Sequence, residues 1–114
     1  MLKDSLELES TDRKLILDTC KQTNATNIVI THGTDTMTDT AKLLSQNITN
    51  KTIVFTGAMI PYKFGSSDGL FNLGSALTAA QTLPPGIYIA INGNIFKSNE
   101  VRKNRQKGIF ESVN

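Results

Sequence analysis

Short apolar runs alternate with helical stripes along this chain. Ile28-Val29-Ile30, Thr52-Ile53-Val54-Phe55 and Ile87-Tyr88-Ile89-Ala90-Ile91 are continuous and rich in β-branched residues. Such runs predict central parallel strands covered on both faces rather than half-exposed antiparallel ones. Between them the apolar positions recur at helical spacing. Leu15, Ile16 and Cys20 form one stripe, with Ser10 or Thr11 as cap and Asp12 in the first turn, and Asn24-Ala25-Thr26-Asn27 ends it. Met37, Ala41 and Leu44, widened by Leu43, predict a second helix running to about Gln46. Leu70, Leu73, Leu77 and Ala80 predict a third, beginning near Asp68 after a polar crossing from Gly57 to Ser67. Pro84-Pro85-Gly86 stops that helix, because proline removes a backbone donor and clashes with the preceding turn.

The last strand turns at Asn92-Gly93 into the short segment Asn94-Ile95-Phe96, and the tail from Lys97 reads as polar and irregular. Strands alternating with helices over short links predict an α/β fold: a three-layer α-β-α, doubly wound, mainly parallel sheet with right-handed crossovers. Residues 1–114 are expected to form one domain around one core, burying roughly 65% of the surface the unfolded chain exposes.

Composition narrows the chemistry. A formal charge of +2 is small, and the basic run Arg102-Lys103-Asn104-Arg105-Gln106-Lys107 has no interleaved aromatics, so nucleic acid is not an expected partner. One cysteine and one histidine cannot supply a Cys/His metal site, and no Gly-x-Gly-x-x-Gly loop follows a strand; no metal and no cofactor is expected. Cys20 has no partner for a disulfide within the chain, and no apolar run approaches the ~20 residues that cross a bilayer. A cytoplasmic protein without a membrane partner is the expectation.

The informative stretch is Thr31-His32-Gly33-Thr34-Asp35-Thr36-Met37, directly behind the first strand. It sets hydroxyls and a carboxylate at a strand-to-helix junction, where open α/β sheets place their ligands. Hydrolysing a carboxamide needs a nucleophile, a group to accept its proton and donors for the oxyanion. Threonine alone is inert at neutral pH, but a lysine beside its hydroxyl can act as base, and a carboxylate can hold that lysine or a substrate amine. The amides opening the second helix would favour a substrate carboxylate, and Gly33 allows close backbone approach. A plainer reading competes: Thr34, Asp35 or Thr36 caps the helix, with Asp39 completing a near capping box. His32 reads as a structural hydrogen-bond partner, Cys20 as packing, and Ser67 and Asp68 as a helix cap.

His32-Gly33-Thr34-Asp35-Thr36-Met37 at a strand end resembles a hallmark of the bacterial-type asparaginase family. Thr56-Gly57-Ala58-Met59-Ile60-Pro61 is similar to that family's Gly-Ala-Met segment, and Ser67-Asp68-Gly69-Leu70-Phe71-Asn72-Leu73 to its next block. Glu100-Val101-Arg102-Lys103 resembles the segment that supplies the catalytic lysine, and Asp4-Ser5-Leu6-Glu7-Leu8 the substrate-contacting serine segment, with Leu6 where the family often has Gln. Leu83-Pro84-Pro85-Gly86-Ile87-Tyr88 and Val101-Arg102-Lys103-Asn104-Arg105 look closest to a short, single-domain asparaginase-like subgroup.

The resemblance implies an amidohydrolase that converts asparagine to aspartate and ammonia. Thr34, Asp35 and Lys103 would be catalytic, and Ser5, Gly33, Thr34, Asp35 and Ala58 would contact the amino-acid amide. Asp35 would bind the substrate ammonium while Thr34 and Lys103 pair to activate a water or polarise the amide. The Thr-Gly-Gly-Thr segment that carries the family's primary nucleophile does not occur in this sequence. The chain therefore reads as a partial amino-terminal domain lacking its first strand, weakly active or inactive by itself, and as a homo-oligomer through exposed strand edges. The alternative is a non-catalytic amino-acid-binding or interaction protein derived from the same fold.

Overall fold

The computed structural model describes residues 10–59 and 68–113. The three apolar runs become β1 (Asn27–Thr31), β2 (Thr52–Thr56) and β3 (Gly86–Ile91), paired parallel in the order of the chain. Asn92 (φ 53°) and Gly93 (φ 81°) then reverse the chain. β4 (Asn94–Lys97) follows as an antiparallel edge strand on β3, as an Asn-Gly hairpin turn dictates.

Three helices cover this sheet: α1 (Ser10–Gln22), α2 (Met37–Asn47) and α3 (Gly69–Thr82). Their ends match the apolar periodicity closely. Alternation along the strands sorts the core into two halves. Ile53 and Phe55 of β2 and Ile87, Ile89 and Ile91 of β3 pack with Leu17 and Cys20 of α1 and Met37, Ala41 and Leu44 of α2. Val54, Tyr88 and Ala90 point the other way, onto Ala76, Ala79 and Ala80 of α3. Alanines along that seam bring α3 close to the sheet, and the three-layer plan is the observed one.

The crossovers depart from expectation. β1, β2 and β3 step across the sheet in one direction, yet α2, which links the first pair, and α3, which links the second, lie on opposite faces. Two parallel crossovers stepping the same way with helices on opposite faces have opposite hands, so one is left-handed. The usual preference for right-handed units is strong, about 98%.

Two further expectations are corrected. β1 is half-buried rather than central: among the described residues it pairs only with β2, and Ile28 and Ile30 border an apolar hollow lined by Leu15, Ile16, Thr19 and Cys20. The tail beyond Lys97 is ordered rather than irregular. β5 (Val101–Asn104) and β6 (Ile109–Ser112) form an antiparallel hairpin turned at Gly108 (φ 65°). Val101 and Phe110 bury themselves in the α1/α2 half of the core and dock the hairpin there. Buried Lys51 closes the other end of the molecule, donating to the carbonyls of Cys20 (2.7 Å) and Thr23 (2.6 Å) at the end of α1. Those carbonyls belong to the set that a helix terminus leaves without intrahelical partners.

Candidate active site

The carboxyl ends of β1 and β2 are locked together before any reactive group is placed. His32 N–H donates to the Thr56 carbonyl at 2.9 Å, continuing the ladder one residue past the strands. Gly57 follows at once, and a Cβ there would lie far inside contact with the His32 carbonyl oxygen. Only glycine lets the two strand ends run this close.

Behind Gly57 stands Asn72, fully buried on α3. Its Nδ2 donates to the Gly57 carbonyl (2.8 Å) and to Asp68 Oδ2 (2.9 Å), and its Oδ1 accepts from Asn92 N–H (2.9 Å). Asp68 Oδ2 also accepts from Met59 N–H at 3.0 Å. Asp68 sits at the N-cap position expected of it, but it makes no side-chain capping bond to α3; it holds the segment after β2 instead. Among the polar residues of α3, Asn72 is the buried one, and its place in Ser67-Asp68-Gly69-Leu70-Phe71-Asn72-Leu73 did not by itself mark that role.

His32 performs the structural role expected. Its Nδ1 lies 2.6 Å from the Gly33 carbonyl and its Nε2 2.9 Å from Thr40 Oγ1, with the ring edge-on to Phe55 at 5.9 Å. A carbonyl only accepts, so Nδ1 carries the proton, and in the neutral ring Nε2 accepts from Thr40. Burial is the main cause that holds the imidazole pKa below its ordinary value; the Gly33 bond opposes it. The ring ties the turn after β1 to the first turns of α2.

Thr34 and Asp35 are presented on that turn, and Lys103 reaches them from β5. Lys103 Nζ donates to Thr34 Oγ1 at 2.7 Å and to Asp35 Oδ1 at 2.7 Å. The lysine side chain is 14% exposed and the aspartate 35%, so the pair sits at the rim of a partly dry site. The capping alternative fails on these contacts: Thr36 is the N-cap residue of α2 and makes no side-chain capping bond, while the oxygens of Thr34 and Asp35 turn to Lys103. Arg105, part of the basic run Arg102 to Lys107, is a second cation here. Its Nη2 donates to the Asp35 carbonyl at 3.2 Å and its Nε lies 3.7 Å from Asp35 Oδ1. Arg105 lies just past the end of β5, in the turn of the hairpin, and no local pattern in the sequence marked its approach to Asp35.

Gly33 lies within this turn and Ala58 follows Gly57, half-buried, at the neighbouring strand end. Ser5 and Ser67 lie outside the described residues. An apolar groove of about 670 Å³ along α3, lined by Leu70, Phe71, Gly74, Thr78 and Ile95 among others, is separate from the cluster and carries no titratable group.

Comparison with known proteins identifies the family and the fold. Residues 1–114 match the family model described as Asparaginase, N-terminal. The chain is 44% identical over 91 residues to an L-asparaginase of Thermococcus kodakarensis, covering 76% of this chain and 28% of that one. It is 36% identical over 107 residues to L-asparaginase 2 of Escherichia coli, covering 89% and 30% respectively. The solved thermostable L-asparaginase from Thermococcus kodakarensis superposes with a TM-score of 0.88 at 34% identity, over 100% of this chain and 37% of that one. The chain thus spans well under half the length of the relatives it matches. A strand-end Thr-Asp pair met by a lysine from a distant hairpin, on a domain that superposes on a solved asparaginase along its whole length, places this chain in the asparaginase family, within its amino-terminal domain.

Proposed function

We propose that this chain carries the Thr-Lys-Asp half of an amidohydrolase that hydrolyses the side-chain amide of asparagine to aspartate and ammonia. The observation that carries the reading is Lys103 Nζ, placed 2.7 Å from both Thr34 Oγ1 and Asp35 Oδ1. Each of the three groups then has a task. Lys103 occupies one lone pair of the Thr34 oxygen, leaving that hydroxyl a proton to donate and a lone pair to accept with. That hydroxyl is thereby able to donate to an amide oxygen and polarise it, or to orient an attacking water by accepting a hydrogen bond from it. Asp35 holds Lys103 through Oδ1 and offers Oδ2 to a substrate ammonium. Gly33, Ala58 and Ser5 serve as the substrate contacts that the family resemblance implies.

Turnover by these residues alone is expected to be very weak or absent. Covalent catalysis in the family uses a Thr-Gly-Gly-Thr segment that the sequence does not contain, and losing a nucleophile leaves only binding and oxyanion stabilisation. That same absence favours the second reading, a non-catalytic amino-acid-binding protein. Calorimetry with L-aspartate and L-asparagine, run beside an ammonia-release assay, separates them. Binding that Lys103→Met and Asp35→Asn abolish is expected under the first reading, with ammonia release at family-like rates only once a Thr-Gly-Gly-Thr strand is supplied. Binding without release even then supports the second, and a chain that binds neither amino acid overturns both.

The partner and compartment readings belong to the same proposal. Among the described residues β1 is paired along one edge alone, and Leu70 (72% exposed), Phe71 (64%) and Leu77 (48%) make α3 apolar to solvent, which together favour a homo-oligomer. No described helix is long and apolar enough to cross a membrane. A reduced, buried Cys20 suits the cytoplasm.

A further inference from the structure

The cluster built on Asp35 holds one carboxylate against two cations, Lys103 at 2.7 Å and Arg105 at 3.7 Å. Its net charge is positive, although the group usually credited with ligand recognition there is the acid. Lys103 is committed to Thr34 and Asp35 and is mostly buried. Arg105 is not. Among the described residues it makes one hydrogen bond, to the Asp35 carbonyl, and its side chain is 61% exposed, so most of its five donors are open to solvent beside Asp35.

We propose that Arg105 is a specificity-determining residue that receives the substrate's α-carboxylate, so that Arg105 and Asp35 read the two charged groups of an α-amino acid side by side. This rests on the reading of Thr34, Asp35 and Lys103 as an amide site. An α-amino acid carries its ammonium and carboxylate on one carbon, and therefore needs an anion and a cation adjacent to each other. Asp35 and Arg105 are adjacent, and the single backbone bond from Nη2 fixes the guanidinium against the Asp35 peptide while leaving its fork open. A planar fork matches a carboxylate in a bidentate pair, which a lysine at the same place does not. The start of α2, two residues after Asp35, adds a positive end to the same corner.

Three probes test the assignment on the whole chain by NMR titration: L-asparagine, succinamate, which lacks the ammonium, and L-asparaginamide, which lacks the free carboxylate. Arg105→Gln is expected to weaken succinamate and L-asparagine ~10-fold, the scale of a charge-assisted pair at a solvated rim. L-asparaginamide is expected to bind Arg105→Gln as well as the parent or better, since a cation competing for Asp35 has gone. Arg105→Lys is expected to recover part of the loss. Equal weakening of all three probes would assign Arg105 to holding Asp35 in place, and unchanged affinities would assign it to solvent; either overturns the proposal while leaving the amide site standing. A parent chain that binds none of the probes overturns both.

Discussion

At the scale of single residues, the site depends on side chains that never touch a ligand. Gly57 is required because a methyl group would meet backbone, the His32 carbonyl, which no rotamer change relieves. Gly57→Ala is expected to cost about 2 kcal/mol in urea unfolding, the middle of the range for overpacking, with β1 and β2 forced apart at the rim. His32 gives a pH dependence with a definite sign. Its folded pKa lies below the ordinary 6.5, so as pH falls through that value the unfolded chain binds a proton that the folded chain refuses. The stability contributed by neutral His32 is thus complete above about pH 6.5 and is lost progressively below it. The urea midpoint should fall on acidification in that window, and His32→Asn should flatten the fall. A parent midpoint that rises instead would contradict the buried neutral ring.

At the scale of elements, the helices and central strands were legible because burial and periodicity agree. Met37, Ala41 and Leu44 are spaced for a helix and are all fully buried; Ile53, Val54 and Phe55 form an unbroken apolar run and line both halves of the core. The hairpin β5–β6 was not legible. Its strands are four residues each, and basic and polar positions outnumber Val101 and Phe110, the two that dock it. Tertiary burial of two side chains decides the conformation there, and no local pattern records it. The hand of the crossovers was hidden for a related reason: it is a relation between α2 and α3, and neither helix encodes it alone.

The hairpin also bears on the proposed site, since it carries Lys103 and, in its turn, Arg105. Phe110→Ala removes the larger of its two anchors and is expected to cost about 3 kcal/mol, the lower end for a buried phenylalanine. Amide exchange should accelerate first in residues 101–112, while β2 and β3 keep their protection. Uniform acceleration throughout the sheet would show the hairpin to be part of one cooperative unit instead. Arg102 and Glu111 pair across the two strands at 2.7 Å, but the arginine is 66% exposed and the contact contributes little to holding the hairpin down.

At the scale of the whole molecule, the sheet is one-sided in its protection. β2 and β3 are flanked and buried, whereas β1, among the described residues, is paired along one edge alone and lies beside the hollow bounded by Leu15, Ile16 and Ile28. Light scattering across a concentration series is expected to show association. A strictly monomeric species at high concentration would mean that neither the edge nor the α3 face is adhesive. Family membership was legible in His32-Gly33-Thr34-Asp35-Thr36-Met37, because a turn that must present a hydroxyl and an acid tolerates few alternatives. The carboxylate-reading role proposed for Arg105 was not, because it depends on a neighbour 70 residues away.

Lys103 is bonded to residues 69 and 68 positions earlier in the chain, and it rides on a hairpin that shares no ladder with the main sheet. The amine is therefore the one member of the trio that can leave without disturbing the other two. Were the hairpin to lift, Thr34 and Asp35 would keep their attachment to the end of β1, and the proposed site would be disarmed rather than dismantled. Chemistry in this chain would then be gated by a docking event between two small sheets, reversible and cheaper than unfolding, with the acid and the hydroxyl waiting in place for the amine's return.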